Sequence, residues 1–568
     1  MKKRVLLSVA GLLAIAGVAL VAAKRDDHEF KVSKNLDIFF AIFKELNLNY
    51  VDEPDPDRIV PEAIDAMLGD LDPYTTYIPE KDREDYQFQV MGLYGGIGAV
   101  IQKSDTDLIQ VREIYSGTPS DDALLPGDRF LSIDGESMRG KDVAYVRSHL
   151  RGVPGEKFEA EIERPGEPKP FKVTIKRELV KLNAVDYYGL LGKENEVGYI
   201  QLRSFESDCY HEFYTDVCNL RDLGAKKLII DLRGNTGGLL DESLKILNMF
   251  VPQGSQILET RGRRRSGDRI YTAPREPLDS IMPIVVMINR GSASASEIVA
   301  GALQDLDRAV IVGQRSFGKG LVQATREVPY KGLLKLTTAK YYTPSGRCIQ
   351  AIDYSNRDAD GAVGYVPDSL IHEFRTRGGR PVYDGGGISP DVLLEPEKYS
   401  PVTLALLYTD QAFPYLIDLK KKGQTLKLDA NNHVTDEAFA DFVKYVKSRP
   451  GFKYRTAAQD AYEKLIAAAK SDGIYSADSA SFAALGSACK ADLERDMYMA
   501  KDDICHMLEE ENIRNKDYRF GAIGYILQYD QQVAEAVKLL EDEGRFNGIL
   551  NGSVPSHAGD KRAANNKN

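Results

Sequence analysis

The sequence contains no tryptophan, and its five cysteines lie far apart. No two of them form a CxxC pair, which argues against a zinc ribbon and a thioredoxin-type redox centre. No HExxH motif occurs around the seven histidines, so the zinc-peptidase signature is missing as well. The odd number of cysteines leaves at least one thiol unpaired within a monomer, and disulfides are not expected to frame the fold. We expect neither a metal nor a cofactor.

An excess of positive charge is also lacking. Lysine and arginine number 74 against 85 aspartate and glutamate residues, a net charge of −11. General nucleic-acid binding needs a basic face, so no nucleic-acid partner is expected. Hydrophobic residues make up 43% and charged residues 28% of the chain, which is the composition of a globular protein. At roughly 150 residues per domain, the 568 residues predict about four units.

Long hydrophobic runs are absent after residue 24, and the one run before it indicates the compartment. Residues 5–23 carry no charge; they follow the basic start Lys2-Lys3-Arg4 and end before Lys24. This pattern is typical of an export signal, with small residues that allow cleavage after Ala23. The run is also about long enough to span a bilayer as a helix of roughly 20 residues. We therefore predict an exported, periplasmic or cell-envelope protein, with residues 1–24 as a cleaved signal or a membrane anchor. A cytosolic protein with an apolar first helix is the alternative.

The order of patterns along the chain predicts a multidomain α+β protein. Residues 30–90 carry apolar residues near helical spacing, which predicts a helical N-terminal region. Residues 91–180 contain short strands between glycine and proline turns, which predicts a compact, mostly β module. Residues 181–400 alternate strands with helices, the pattern of an α/β core with a largely parallel sheet, and strands are predicted at 197–202 and 284–288 among others. Residues 401–550 are helical again, and residues 551–568 form a polar tail that we predict to be disordered.

The strongest local signal is the segment NRGSASASEIVAGALQD at residues 289–305. It places a run of tiny residues between a buried strand and an apolar helix, which permits a tight turn and close backbone approach. A serine at a helix N-terminus lies among free N–H groups, and such groups can hold an oxyanion. An ordinary serine N-cap is the commoner use of serine at that place. This segment alone leaves both interpretations open.

A second signal, GQRSFGKGLVQ at residues 313–323, nearly matches the phosphate loop GxxxxGK(S/T). Gly320 replaces the hydroxyl residue that would bind magnesium, and residues 321–326 alternate like a strand where a phosphate loop would open a helix. An ATPase is therefore not favoured. Lys319 could instead act as the general base for a serine nucleophile, because burial lowers the pKa of a lysine. A solvated surface lysine is the ordinary alternative.

A third signal, DLRGNTGG at residues 231–238, follows a predicted strand and opens a predicted helix. A glycine-rich turn at the carboxyl end of a strand is where ligands bind in open α/β sheets. Its N–H groups could complete an oxyanion hole, and a tight strand-to-helix turn is the structural alternative.

Together these segments resemble the carboxyl-terminal processing proteases, also called tail-specific proteases. The resemblance covers nearly everything after the N-terminal signal. Besides the three segments above, it includes LDPYT at 71–75, GGIG at 95–98, PGD at 126–128, IDG at 133–135, LRG at 150–152, residues 335–350, and GGGISPD at 385–391. It implies a PDZ domain at residues 91–180, inserted between the helical N-terminal region and a serine protease core at 181–400. That core would have a crotonase-like or ClpP-like α/β fold and a helical C-terminal extension.

The resemblance also implies roles for individual residues. Ser294 matches the family nucleophile, Lys319 the general base, and Gln323 the residue that positions this lysine. The oxyanion would be held by the N–H of Ala295 and by that of Gly237 or Gly238, between which the sequence does not decide. The carboxylate of a substrate tail would bind the loop formed by Tyr94, Gly95, Gly96, Ile97 and Gly98.

One stretch departs from the family pattern. Where the family often reads GSPAxxAGL, this chain reads SGTPSDDALL at residues 116–125. The change places two acids, Asp121 and Asp122, beside the expected peptide groove, which leaves the tail preference open.

The function implied by the resemblance is that of an exported serine endopeptidase. It would recognise the free, apolar C-terminal tails of protein substrates through its PDZ domain and cleave them with a Ser–Lys dyad, in the processing or degradation of envelope proteins. Association of copies through the helical regions and a regulatory adaptor protein are further expectations. Two alternatives are a catalytically silent PDZ scaffold and a hydrolase of the same core that uses a distant histidine.

Overall fold

The computed structural model describes residues 27–263, 265–357 and 361–560. The predicted signal or anchor at residues 1–24 lies outside this range, as do residues 561–568. The chain divides into two compact units, with the boundary after Tyr77.

In its described part, from residue 27 onward, the first unit contains two helices. Residues 27–49 form α1, and α2 follows as Pro56–Gly69. The Asp55 carboxylate caps α2 by accepting a hydrogen bond from the N–H of Asp57, and Pro56 has the backbone angle that a helix start needs. No helix in the described part of the chain combines the length and the apolar character that crossing a membrane requires.

A short strand, β1 (Thr76–Ile78), crosses the boundary, and helix α3 (Arg83–Met91) leads into a β-rich module. The module's antiparallel sheet has the order β3-β4-β5-β7-β8, with β3 at its edge and α4 beside β3. Strands β2 and β9 pair where the chain enters and leaves the module. Its core is closed by Val111, Phe130 and Val146. The elements are β2 (Leu93–Gly96), β3 (Ala99–Lys103), β4 (Ile109–Ile114), β5 (Arg129–Ile133), β6 (Glu136–Ser137), α4 (Val143–Leu150), β7 (Lys157–Glu163), β8 (Phe171–Lys176) and β9 (Glu178–Lys181).

An α/β core follows the module. Its elements are β10 (Val185–Leu191), β11 (Val197–Leu202), α5 (Cys209–Asp222), β12 (Lys227–Asp231), α6 (Leu240–Asn248), β13 (Gln256–Gly262), β14 (Arg269–Thr272), β15 (Ile284–Ile288), α7 (Ala295–Asp305) and β16 (Val310–Gly313). A sheet of order β10-β11-β12-β15-β16 is extended by a later strand, β23 (Val392–Leu393), and all its neighbours are parallel except β10 and β11. The predicted strands at 197–202 and 284–288 are confirmed residue for residue.

A second sheet joins β13 and β14 to the hairpin β17–β18, which carries Gln323 on its first strand and Tyr341 on its second. Two small hairpins come before β23. The bounds are β17 (Leu321–Glu327), β18 (Leu333–Tyr342), β19 (Ile352–Arg357), β20 (Val363–Tyr365), β21 (Glu373–Arg375) and β22 (Pro381–Tyr383).

The C-terminal helices have two separate places in the fold. Helices α8 to α14 contain a core of their own around Leu406, Phe439 and Leu508. Helices α15 and α16 instead cover one face of the main sheet, opposite α5 to α7, with Val533 and Leu539 packed against β12 and β15. Both faces of the sheet are therefore covered, which explains why β15 is wholly apolar and why the three central residues of β12 are apolar. The bounds are α8 (Pro401–Tyr408), α9 (Ala412–Lys421), α10 (Asp436–Ser448), α11 (Ala457–Ser471), α12 (Ser479–Cys489), α13 (Leu493–Met499), α14 (Lys501–Ile526), α15 (Gln531–Glu541) and α16 (Glu543–Leu550).

Residues 551–560 are ordered, which differs from the disordered tail predicted for 551–568. Asp391 holds this segment: its carboxylate accepts a hydrogen bond from the Ser556 hydroxyl at 2.8 Å, and its carbonyl accepts one from the N–H of His557 at 2.9 Å. Ala558 is buried. The polar composition of this segment predicted disorder. The residue that holds it, Asp391, lies far away along the chain, so the sequence pattern gave no sign of the contact.

Candidate active site

The three serines of the SASAS run lie in different environments. Ser292 and Ser296 are fully buried, and each hydroxyl donates to a backbone carbonyl, at 2.7 Å to Leu232 and at 2.8 Å to Asn235. Ser294 is only half-buried. Two serines therefore fasten the turn, and the middle one is partly exposed to solvent.

The backbone of Ser294 is strained. Its φ of 56° and ψ of −113° lie in a region that residues with a side chain rarely adopt, whereas an ordinary N-cap is extended. Such a conformation costs about 1–3 kcal/mol and persists only where the surroundings enforce it, most often at functional sites. The simple N-cap interpretation does not account for this geometry.

Glu297 fixes the backbones of Ser294 and Lys319 together. Its carboxylate is fully buried, and Oε2 accepts the N–H of Ser294 at 2.8 Å and that of Lys319 at 2.9 Å. Oε1 accepts the N–H of Gly318 at 2.7 Å and the hydroxyl of Ser316 at 2.5 Å. Burial raises the pKa of Glu297, and these four donors oppose the rise. One side chain therefore sets the distance between the candidate nucleophile and the segment of the candidate base.

Tyr341 makes the complementary contacts on the carbonyl side. Its side chain is buried at the end of β18, and its hydroxyl lies 3.2 Å from the carbonyl oxygen of Ser294 and within hydrogen-bond distance of that of Lys319. Ser294 and Lys319 are thus held at their N–H groups by one residue and at their carbonyls by another.

Two asparagine side chains hold the glycine-rich loop at 231–238: that of Asn235 anchors it to β11, and that of Asn289 ties it to the serine turn. Asn235 donates its amide to the carbonyl of Leu202 at 2.8 Å, and its carbonyl oxygen accepts the N–H of Gly237 at 2.9 Å. The side-chain oxygen of Asn289 accepts the N–H groups of Gly234 and Gly291, both at 2.9 Å. The loop and the serine turn therefore form one hydrogen-bonded unit.

Gly237 lies directly against the nucleophile turn. Its φ is 101°, and a Cβ at this position would stand 2.8 Å from the Cβ of Ser294 and 2.9 Å from the nitrogen of Ala295. Only glycine fits so close an approach. Its own N–H is used by Asn235, whereas no acceptor for the N–H of Ala295 or of Gly238 is found among the described residues. Of the two candidate glycines, Gly238 is thus the one whose N–H is available.

Gln323 lies on β17, the strand that begins two residues after Lys319. Its amide nitrogen donates to the hydroxyl of Thr337 at 3.2 Å, which orients the amide and turns its oxygen away from that neighbour. Lys319 itself is half-buried. The structure therefore brings Ser294, Lys319, Ala295 and Gly237 together, and Gln323 follows on the adjoining strand.

The histidines lie elsewhere. Across the residues that the structure describes, none forms a hydrogen bond, an ion pair or a ring contact with Ser294. His149 contacts Glu136 in the β-rich module, and His433 lies beside Glu509 in the C-terminal helices. The geometry does not favour the alternative with a catalytic histidine.

Of the predicted carboxylate-binding loop at residues 94–98, the first three residues lie on β2 and pair with β9, and only Ile97 and Gly98 connect β2 to β3. The carbonyl of Ile97 accepts the N–H of Ser120 at 2.8 Å, and that of Gly98 accepts the N–H of Tyr115 at 2.9 Å. Strand β3 starts next, at Ala99, and within the described range no strand pairs with its outer edge. The loop therefore opens onto a free strand edge.

Sequence reasoning missed Glu297, Tyr341 and Asn235. Glu297 had a visible signal, because a serine followed three residues later by glutamate is the capping-box pattern. Tyr341 and Asn235 had none, since their roles depend on segments that meet only in the folded chain.

The different environments of the serines lead to a prediction. We expect Ser296→Ala to lower the free energy of unfolding by about 0.5–1.5 kcal/mol, because the Asn235 carbonyl loses one of two donors and keeps the N–H of Ala293, yet to retain cleavage. Ser294→Ala should do the reverse, with unchanged stability and no cleavage. Urea denaturation and cleavage of an unstructured reporter measure both effects. Loss of all cleavage in a folded Ser296→Ala chain would contradict this division of roles.

Comparisons with known proteins match both the α/β core and the C-terminal helices. The profile described as peptidase family S41 matches residues 196–356, and the profile described as a probable PDZ-protease C-terminal helical domain matches residues 402–540. A carboxy-terminal-processing protease of Bartonella bacilliformis is 36% identical over 379 residues, which cover 66% of this chain and 83% of that protein. A probable CtpA-like serine protease of Staphylococcus aureus strain N315 is 36% identical over 56% of this chain and 62% of its own length.

Two solved structures also match parts of this chain. The photosystem II D1 C-terminal processing protease is 27% identical, with 62% of this chain and 86% of that chain covered and a TM-score of 0.35. A peptide-bound PDZ domain of a carboxy-terminal protease from Vibrio cholerae is 30% identical, with 16% of this chain and 99% of that chain covered and a TM-score of 0.15.

The strained serine and the α/β core thus lie in a serine-type peptidase. Within that class, the chain belongs to peptidase family S41 and is related to its carboxy-terminal-processing proteases.

Proposed function

We propose that this protein is an exported serine endopeptidase that recognises the C-terminal tails of envelope proteins and cleaves them with a Ser–Lys dyad. The observation that carries the proposal is the shared support of Ser294 and Lys319 by Glu297 and Tyr341. A non-catalytic scaffold would not need a serine with a strained backbone, nor a buried side chain that fixes this serine relative to a lysine.

In the proposed reaction, Ser294 Oγ attacks the carbonyl carbon of the scissile peptide bond. The neutral amine of Lys319 takes the hydroxyl proton as the bond forms and gives it to the leaving amine when the tetrahedral intermediate collapses. Water then attacks the acyl-enzyme, again with Lys319 as the base, and Ser294 recovers its proton. Gln323, whose amide nitrogen donates to the hydroxyl of Thr337, would orient the lysine.

The anion of the tetrahedral intermediate would be held by the N–H groups of Ala295 and Gly238. Ala295 is the first residue of α7, where helix N–H groups have no partner within the helix. Gly238 lies in the loop that contacts the serine turn through Gly237. Removal of one such donor typically costs about 10²–10³ in kcat.

The tail would bind the β-rich module in the manner of a PDZ domain. A free strand edge next to a glycine-rich loop suits β-augmentation, in which a substrate's C-terminus adds a strand and its carboxylate meets backbone N–H groups. Residues 94–98 and strand β3 supply these two features. The proposed export is based on the apolar run at residues 5–23. Association of copies of this chain and binding of a regulatory adaptor protein stay predictions from the sequence.

The proposal is tested with two reporters that share an unstructured sequence and end in apolar residues, one with a free carboxylate and one amidated. We expect the full chain to cleave the free reporter with at least a tenfold advantage in kcat/KM, since a hydrogen-bonded charge is worth about 1.5–3 kcal/mol. Equal cleavage of both would keep the peptidase and remove tail recognition. No cleavage of either, with a folded chain, would contradict the proposed activity.

A further inference from the structure

Helix α14 is broken in the middle. Asp517 and Tyr518 have non-helical dihedral angles, and Tyr518 has a φ of 59° and a ψ of −165°. A tyrosine in this region costs about 1–3 kcal/mol unless its surroundings enforce the conformation. The enforcing contacts come from the β-rich module: the Tyr518 hydroxyl donates to the carboxylate of Asp121, and its ring packs against the module's core.

Ion pairs fasten the helix to the module on both sides of the break. Before it, Glu511 binds the guanidinium of Arg112 on β4 at 2.7 Å. After it, Arg519 lies 3.2 Å from Glu113 of the same strand and 3.5 Å from Asp186 on β10 of the core. Tyr518 is thus held at a fixed place among the helical region, the module and the core.

Asp121 is one of the two acids by which this chain departs from the family pattern. Its second carboxylate oxygen accepts the N–H of Gly117 at 2.7 Å. Both oxygens are therefore engaged, one within the turn at residues 117–121 and one by Tyr518. The acid closes this turn and does not point its charge freely into the peptide groove.

The same turn holds the predicted carboxylate-binding loop. The hydroxyls of Ser120 and Thr118 donate to the carbonyl of Gly98, at 2.8 Å and 3.2 Å. The contact is tight, because a Cβ on Gly98 would stand 2.2 Å from the Cβ of Thr118. A shift of the turn must therefore move the loop whose N–H groups would meet the tail.

The geometry points to Tyr518 as a positioning residue for tail recognition: from the C-terminal helical region, it fixes the Asp121 turn and through it the carboxylate-binding loop. This inference rests on the proposed recognition of C-terminal tails. Among the described residues, Tyr518 has no hydrogen bond to Ser294 or to residues 94–98, so we expect its effect to reach a substrate tail through the Asp121 turn and to concern tail binding alone.

Peptide binding by the full chain tests this role without catalysis. The probe is a fluorescein-labelled ten-residue peptide whose last three residues are apolar, with a free or an amidated C-terminus, and the protein carries Ser294→Ala. We expect Tyr518→Phe to weaken binding of the free-carboxylate peptide roughly tenfold, because the turn that holds the loop loses a hydrogen bond to a charged group. Binding of the amidated peptide should not change.

Tyr525→Phe is the matched control. Tyr525 lies on the same helix, seven residues later, and its hydroxyl donates to the carboxylate of Glu509 inside the helical region. It should leave the affinity for both peptides unchanged. In the active chain, Tyr518→Phe should raise KM for the free-tail reporter and leave kcat as it is. It should add little to Asp121→Ala, because loss of the acid already removes the contact with Tyr518.

The outcomes separate this inference from the function on which it rests. Equal affinity of the Tyr518→Phe and parent chains for the free-carboxylate peptide overturns the role of Tyr518 and keeps tail recognition. If Tyr518→Phe loses affinity equally for both peptides, Tyr518 has only a structural role, and the inference is overturned. Binding of neither peptide by the parent chain overturns tail recognition, and this inference with it.

Discussion

Replacement of Ser294 or of Lys319 by alanine is expected to lower the cleavage rate of the free-tail reporter by about 10⁴-fold or more. The serine supplies the attacking oxygen, and the lysine takes its proton. Because the two act as a unit, the double variant should be no slower than either single variant. Their backbones are tied by Glu297, so each side chain can be removed without a change in the framework. The measurement is the steady-state cleavage rate of three variants beside the parent chain.

Lys420→Ala is the matched control for the lysine. Lys420 is also partly buried, and burial lowers its pKa, but it lies at the end of α9 among the C-terminal helices. We expect its rate to equal that of the parent. If Lys319→Ala keeps a rate far above that of Ser294→Ala, the lysine is not the general base.

Glu297→Gln is expected to have the second-largest effect, a fall in kcat of about 10²-fold, the size found when reacting groups are misplaced by about 1 Å. The amide keeps one acceptor oxygen but replaces the other with a donor, so two of the four donors around it lose their partner. Each buried donor left unsatisfied costs about 1–3 kcal/mol, so stability falls as well. Cleavage kinetics and urea denaturation of the same preparation measure both effects.

Glu509→Gln distinguishes misplacement from simple instability. Glu509 is equally buried, and its carboxylate accepts the N–H of Val434 and the hydroxyl of Tyr525, far from the serine turn in sequence and in fold. We expect a comparable loss of stability with kcat unchanged. Equal losses of kcat in Glu297→Gln and Glu509→Gln would mean that Glu297 has no special part in placing the dyad.

The sequence predicted the fold best where the pattern is local. Strands β11 and β15 were found with their bounds because buried strands of a parallel sheet are continuous apolar runs. The break in α14 and the place of α15 and α16 against the sheet were not found. Both depend on partners such as Asp121 and β12, which are distant along the chain.

The candidate site divides in the same way. Ser294 and Lys319 were identified through short motifs, whereas the residues that hold them were not. The N–H clamp of Glu297 and the carbonyl contacts of Tyr341 join segments more than 15 residues apart, and no spacing rule covers such contacts. The choice of Gly238 over Gly237 needed the hydrogen bond from Gly237 to Asn235, which only the folded loop shows.

The most direct test of the dyad is the mass of the protein during turnover. The substrate is a free-tail peptide in which an ester replaces the scissile peptide bond. Such an ester acylates a serine nucleophile faster than water removes the acyl group, so the acyl-enzyme accumulates. After an acid quench, the account predicts a mass increase equal to the acyl part, located on Ser294 and absent from Lys319→Ala. Turnover of the ester without an adduct on Ser294, or with the adduct on another residue, would contradict it.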